Sequence, residues 1–303
     1  MGLFSKTKTV DIFFVGSEGT DLDRGIYSFY LNVDNGEIIK KSFVKSLASP
    51  LAMNRQGRFM YLTYRNGTGR AQDGGIWQYA CMETQLGLAA RIGNEGRTYI
   101  QTVLNKDRDY AYAIDYYNGE VVTIPIKTSK IIRVSKTVKL DGHSIDPVKQ
   151  TESHPTFMTF TPDNTKLIVT DLGGDEVIFF TEGEKGELTK DEELSFKLNP
   201  GSGPLKLVYS SNRKFAYILN QISSTITCYA VKHNKFTLVD EVMTYSKDEY
   251  DGVNTPMDMV ITENGRFIFV INKGDDTIVA FERDKETGKL TSCLLYTSPS
   301  PRD

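Results

Sequence analysis

The chain has 303 residues, a formal net charge of −3, 39% hydrophobic residues and 25% charged ones. This length and balance describe a globular chain that buries a real core, not a disordered one. A slightly negative charge leaves no electrostatic footprint for nucleic acid, and no apolar run approaches the roughly 18 residues of a membrane span, so neither is expected as a partner.

Cys81, Cys228 and Cys293 are far apart and odd in number. That argues against a disulfide framework and fits a reducing compartment. The opening Met1-Gly2-Leu3-Phe4-Ser5-Lys6 has no signal-peptide apolar region, and Lys6 stands where a myristoylation signal wants Ser or Thr. The expected location is therefore the cytoplasm. No Cys/His cluster has zinc spacing, and no cofactor is expected.

Taken in order, the chain repeats one pattern. Ile12-Phe13-Phe14-Val15-Gly16 and Gly25-Ile26-Tyr27-Ser28-Phe29-Tyr30 read as two strands, and Glu37-Ile38-Ile39-Lys40 begins another. These are the later strands of a unit whose first strand is absent. Ser49-Pro50 then opens a full copy that runs from Leu51 to Leu62, and residues 99–112 give a second that turns at Asn105-Lys106-Asp107-Arg108. His154-Pro155 opens a third, which turns at Pro162-Asp163-Asn164 before Leu167-Ile168-Val169. Gly203-Pro204 opens a fourth and Thr255-Pro256 a fifth, with Glu263-Asn264-Gly265-Arg266 as its turn. Asn, Asp and Gly at such turns tolerate left-handed backbone, and Pro presets φ.

Each copy continues alike. A polar loop leads to a β-branched or aromatic strand, such as Glu176-Val177-Ile178-Phe179-Phe180 or Thr225-Ile226-Thr227-Cys228-Tyr229, and then to a charged outer strand. A period of about 50 residues with four strands per unit is that of a β-propeller blade. The fold class is therefore all-β: a propeller of four-stranded blades, five complete or nearly complete, plus an N-terminal partial blade. Residues 1–293 are read as one propeller domain, incomplete at its C-terminus, where one more blade and a closing strand would make seven. Residues 294–303 do not match the repeat and read as a non-native, adapter-like tail.

At this point the residues resemble the lactonase-type seven-bladed propellers, which include bacterial 6-phosphogluconolactonases of propeller type and the fungal carboxymuconate lactonising enzyme. The resemblance rests on His154-Pro155, Thr161-Pro162-Asp163-Asn164, Thr170-Asp171-Leu172-Gly173 and above all Asn199-Pro200-Gly201-Ser202-Gly203-Pro204, over roughly residues 10 to 290. It implies a lactonase-like hydrolase of carbohydrate metabolism that opens a small anionic sugar lactone, 6-phosphogluconolactone in the pentose phosphate pathway. The family's His matches His154. Its Arg-His pair is Leu205-Lys206 here, its Asn-Glu is Asn220-Gln221 and its Asn-Arg is Asn272-Lys273. Gln in place of Glu removes a titratable acid, since an amide cannot serve as general base. The alternative is thus a catalytically degenerate propeller that serves as a ligand-binding or protein-interaction scaffold.

The repeat's register places a polar ring at one mouth of the expected central channel. Arg65, Asp115, Asp171, Asn220, Gln221, Asn272 and Lys273 follow second strands, and His154 and Lys206 lie at first-strand starts. Cations converging on a concave mouth suit an anionic ligand. The expected catalytic set is His154 as base, Asp171 to orient it, and Lys206 and Lys273 for the oxyanion. Arg65, Asp115, Asn220, Gln221 and Asn272 are the expected substrate contacts.

Overall fold

The computed structural model describes residues 10–17, 25–46, 49–65, 74–83, 85–93, 96–248 and 250–297. The expectations for residues 1–6 and 298–303 lie outside these. The chain divides into two compact units, residues 1–117 with 122–136, and residues 118–121 with 137–303.

In the first unit, β1 (Val10–Ser17), β2 (Gly25–Asn32) and β3 (Ile38–Ser46) form a three-stranded sheet in chain order. A four-stranded sheet follows, β4 (Ser49–Gln56), β5 (Phe59–Arg65), β6 (Gly74–Met82) and β7 (Gln85–Gly93). The next contains β8 (Tyr99–Leu104), β9 (Tyr110–Asp115), β10 (Glu120–Lys127) and the short β11 (Lys130–Ile131), with β12 (Lys136–Lys139) pairing β10. In the second unit, β13 (Pro155–Phe160), β14 (Lys166–Asp171), β15 (Glu176–Glu182) and β16 (Leu188–Lys190) make one sheet, with β17 (Phe196–Lys197) on β15. β18 (Pro204–Tyr209), β19 (Phe215–Asn220), β20 (Thr225–Lys232) and β21 (Lys235–Met243) make the next, and β22 (Thr255–Ile261), β23 (Phe267–Lys273), β24 (Thr277–Arg283) and β25 (Leu290–Thr297) the last. Among the described residues, five sheets of four or more strands and a three-stranded one before them match the repeat count read from the sequence. The ladder of β25 on β24 runs to Thr297, past Cys293 and into the stretch that the repeat template does not cover.

The repeat is visible in the backbone as well. The turn between first and second strands carries one left-handed residue in every full sheet: Gly57 (φ 59°), Arg108 (59°), Asn164 (58°), Arg213 (60°) and Gly265 (66°). The first strand is bulged at the same place each time, between Pro50 and Ala52, Tyr99 and Gln101, Pro155 and Phe157, Pro204 and Lys206, and Pro256 and Asp258. One residue is thereby left unpaired, the strand kinks, and the side chain after the bulge is re-aimed. Pro stands first in β13 and β18 and second in β4 and β22, at strand starts where a ladder N–H can be spared.

Three of the second strands do not alternate in burial: all six residues of β19 are buried, and β9 and β14 are buried after their first residue, whereas the fourth strand β21 has no buried residue and β23, in the last sheet, alternates. A strand covered on both faces by neighbouring sheets has no solvent side, so its sequence is continuously apolar. Within the first unit β8 packs on β4 and β5; within the second, β18 packs on β13 and β14, and β22 on β18 and β19. The cores lie between successive sheets. Ile168, Phe179, Leu207 and Ile218 fill one in the second unit, and Tyr217, Leu219, Met259, Val270 and Phe281 fill another. Each such side chain contributes about 1.5–3 kcal/mol by leaving water.

Candidate functional site

The residues just past the bulges on β13, β18 and β22 are Phe157, Lys206 and Asp258. They occupy one register position on three adjacent first strands, and they meet. Lys206 Nζ lies 2.6 Å from Asp258 Oδ1 and 6.0 Å from the centroid of the Phe157 ring. The two charged side chains are 24% and 48% exposed, so the pair is open to a ligand. Partly exposed pairs contribute only about 0–1 kcal/mol to stability. What this one secures is position, since an ammonium is pinned on rigid inner strands. Lys206, one of the three cations of the expected ring, is thus paired with a carboxylate. Asp258 was not anticipated, although it stands two residues past Pro256 as Lys206 stands past Pro204.

His154 is buried at the entry to β13. Its N–H donates to Asp171 Oδ1 at 2.7 Å, and its carbonyl accepts the Leu172 N–H at 3.0 Å. Asp171 thus meets His154 through the main chain. The same carboxylate accepts the Gly173 N–H at 3.1 Å and the Ser153 hydroxyl at 2.8 Å. Burial pushes the Asp171 carboxyl above its ordinary range, while Ser153 and the amides of His154, Gly174 and Gly173 pull the other way.

The other second-strand ends are used alike. Asn220 Nδ2 donates to Thr225 Oγ1 and Thr227 Oγ1 at 3.0 and 2.9 Å. Asn272 Nδ2 donates to the Thr244 carbonyl at 2.7 Å and to Thr277 Oγ1 at 3.1 Å, and its Oδ1 accepts from Asn254. In the first unit, Asp115 accepts the Thr98 N–H at 3.2 Å. Asp115, Asp171, Asn220 and Asn272 are all buried, and each holds neighbouring loop or strand groups as Asx side chains do. Gln221 Nε2 donates to the Pro256 carbonyl at 3.2 Å, which links two sheets of the second unit. Lys273 is exposed at the end of β23, and Arg65 ends β5 opposite Gly74 in the first unit.

The motif Asn199-Pro200-Gly201-Ser202-Gly203-Pro204 has an anchor that sequence reasoning missed. Asp175 accepts the Gly201 and Gly203 N–H groups, both at 2.6 Å. Gly203 has φ +64°, and a Cβ there would stand 2.5 Å from Ile222 Cγ1, so only glycine fits. The signal available was the Gly173-Gly174-Asp175 turn just upstream. Among the described residues no three His, Cys, Asp or Glu side chains converge as a metal centre requires.

Sheets of antiparallel strands in chain order, with first strand against first strand between neighbours inside each unit, are propeller blades, and in the second unit a Lys–Asp pair stands on two adjacent first strands. The chain belongs to the lactonase, 7-bladed β-propeller family, whose model matches residues 12–303. An uncharacterized protein of Lactococcus lactis subsp. cremoris is 25% identical over 89% of this chain and 78% of its own length. The 6-phosphogluconolactonase of Bacillus subtilis is 22% identical over 91% of this chain and 79% of its own. The structure of the Pseudomonas aeruginosa periplasmic gluconolactonase superposes with a TM-score of 0.82 at 20% identity, covering 95% of this chain and 82% of that one. Among the described residues no helix is long and apolar enough to cross a membrane.

Proposed function

We propose that the chain is a hydrolase that opens a sugar lactone, with 6-phosphogluconolactone as substrate and 6-phosphogluconate as product. The observation that carries this reading is the Lys206–Asp258 pair on adjacent inner strands, in a chain of the lactonase family. Lactone hydrolysis needs an activated water and a cation or donors where the carbonyl oxygen becomes charged. In this reading His154 takes a proton from water as the water oxygen bonds to the carbonyl carbon. The Lys206 ammonium, held by Asp258, faces the resulting oxyanion. The ring C–O bond then breaks, and the leaving oxygen receives the proton from His154. Lys273 is assigned to the phosphate, and Gln221 to a substrate hydroxyl. Asp171, Asn220 and Asn272 hold the loops that carry these groups. The three cysteines are free, which supports a reducing, cytoplasmic setting.

Proton release from 6-phosphogluconolactone in a pH-stat tests the proposal. Lys206→Met is expected to lower kcat about 10²–10³-fold, as removal of an oxyanion donor does, and His154→Ala about 10²–10⁴-fold. A wild-type rate equal to that of buffer overturns it. The second reading, a binding scaffold without turnover, is favoured by Gln221, whose amide is engaged by Pro256 and has no titratable proton near neutrality. Tight calorimetric binding of 6-phosphogluconate without turnover would select that reading.

A further inference from the structure

The first unit contains a cavity of about 420 Å³ that takes no part in the proposed reaction. It lies where β4 turns into β5 and β8 into β9, at the ends of these strands away from Arg65 and Asp115. Its floor is apolar, formed by Phe59, Leu104 and Ile126. Its remaining lining includes two guanidinium groups, Arg58 and Arg108, and the phenol of Tyr61. The Arg58 guanidinium sits 4.9 Å from the centre of the Phe59 ring, within cation–π range, and both arginine side chains are exposed. Arg108 comes from the left-handed turn of the next sheet and reaches across to Gly57, where a Cβ would stand 3.3 Å from its Nη1. Among the described residues neither guanidinium has an ion-pair partner.

The wall behind them is rigid. Gln78, fully buried, donates to Tyr61 Oη at 3.2 Å and to the Ser129 carbonyl at 2.7 Å, and accepts the Ile131 N–H at 3.0 Å. Because Tyr61 Oη accepts from Gln78, its own O–H proton remains a donor beside the cavity. The Arg108 turn is also braced, with Asn105 Nδ2 on Asp109 Oδ1 at 2.7 Å and Asn105 Oδ1 accepting the Asp109 and Tyr110 N–H groups.

We propose that this cavity is a second ligand site, for a phosphate monoester with a flat apolar body. Two guanidiniums balance a dianion and match phosphate oxygens two at a time. The phenol O–H adds a third donor, and the floor of Phe59, Leu104 and Ile126 takes the body. A volume of about 420 Å³ is within the range of small-molecule sites.

Calorimetric titration with phenyl phosphate tests this, with inorganic phosphate and phenol as separate arms. Saturable binding of phenyl phosphate is expected, at least about 10-fold tighter than either arm alone. Arg58→Ala and Arg108→Ala are each expected to weaken it about 10-fold or more, as loss of a charge-assisted hydrogen bond does. Arg108→Lys keeps the charge and the fold but loses the fork, and is expected to fall between. Lys206→Met, which alters the proposed lactone site, is expected to leave this affinity unchanged, while the two Ala variants keep the lactone-hydrolysis rate of the wild type. No saturable binding, wild-type affinity in both Ala variants, equal affinity for inorganic phosphate, or loss of affinity in Lys206→Met would each overturn the proposal.

Discussion

The clearest energetic test concerns Asp171, a fully buried carboxylate whose acceptors are all spent on its surroundings. Truncation by Asp171→Ala leaves the N–H groups of His154, Gly173 and Gly174 without their acceptor, whereas the Ser153 hydroxyl can rotate toward the Gly142 carbonyl. An orphaned buried donor costs about 1–3 kcal/mol. Three of them, offset by release from burying a charge, give a net loss of about 3–5 kcal/mol. With an m-value on the order of 3 kcal/mol/M in urea, the midpoint moves down by about 1–1.7 M. Asp171→Asn retains an acceptor oxygen for His154 and Gly173 and is expected to cost only about 1–2 kcal/mol; Asn220 and Asn272 occupy the same register position in the next two sheets. The pH dependence carries the sign. Burial raises the Asp171 carboxyl in the folded state, so the folded chain binds its proton more tightly than the unfolded chain does. That contribution is complete below the ordinary Asp value of about 3.9 and is lost as pH rises through the raised one. The stability gap between wild type and Asp171→Asn should therefore be wider near pH 4 than near pH 7. Urea unfolding at both pH values checks this. A gap that widens with pH, or an Asp171→Ala midpoint equal to wild type, would refute the reasoning.

Two further changes probe the loops that position the site. Asp175→Ala removes the acceptor of the Gly201 and Gly203 amides and should raise hydrogen exchange selectively in residues 199–204, at a cost of about 2–4 kcal/mol; unchanged protection there would dismiss the anchor. Gly173→Ala drives a Cβ into the Glu152 carbonyl oxygen and to 3.0 Å from the His154 nitrogen, so it should cost about 3 kcal/mol or more and lower lactone hydrolysis with it. A melting temperature within a degree or two of wild type would show that this turn yields freely.

Blade number, strand order and turn positions were legible in the residues because they follow from local chemistry. Asn164 and Gly265 take left-handed φ where the chain reads Asp-Asn or Asn-Gly, and residues 215–219 are continuously apolar because both faces of their strand are covered. The roles of particular polar residues were not legible to the same degree. Asp115, Asp171, Asn220 and Asn272 look like ligands for a channel when placed by register alone, yet each side chain turns to its own loop or strand. Register says which residue ends a strand, not where its side chain finds donors. Asp258 meets Lys206, about one repeat period earlier in the chain, and Arg58 and Arg108 share a cavity across a similar separation. Pairings of that kind depend on how successive sheets stack and on the bulge that re-aims one side chain in each first strand. Short-range patterning carries no information about contacts between separate sheets, so the repeat could be read from the chain alone, and the polar partnerships had to await the packed structure.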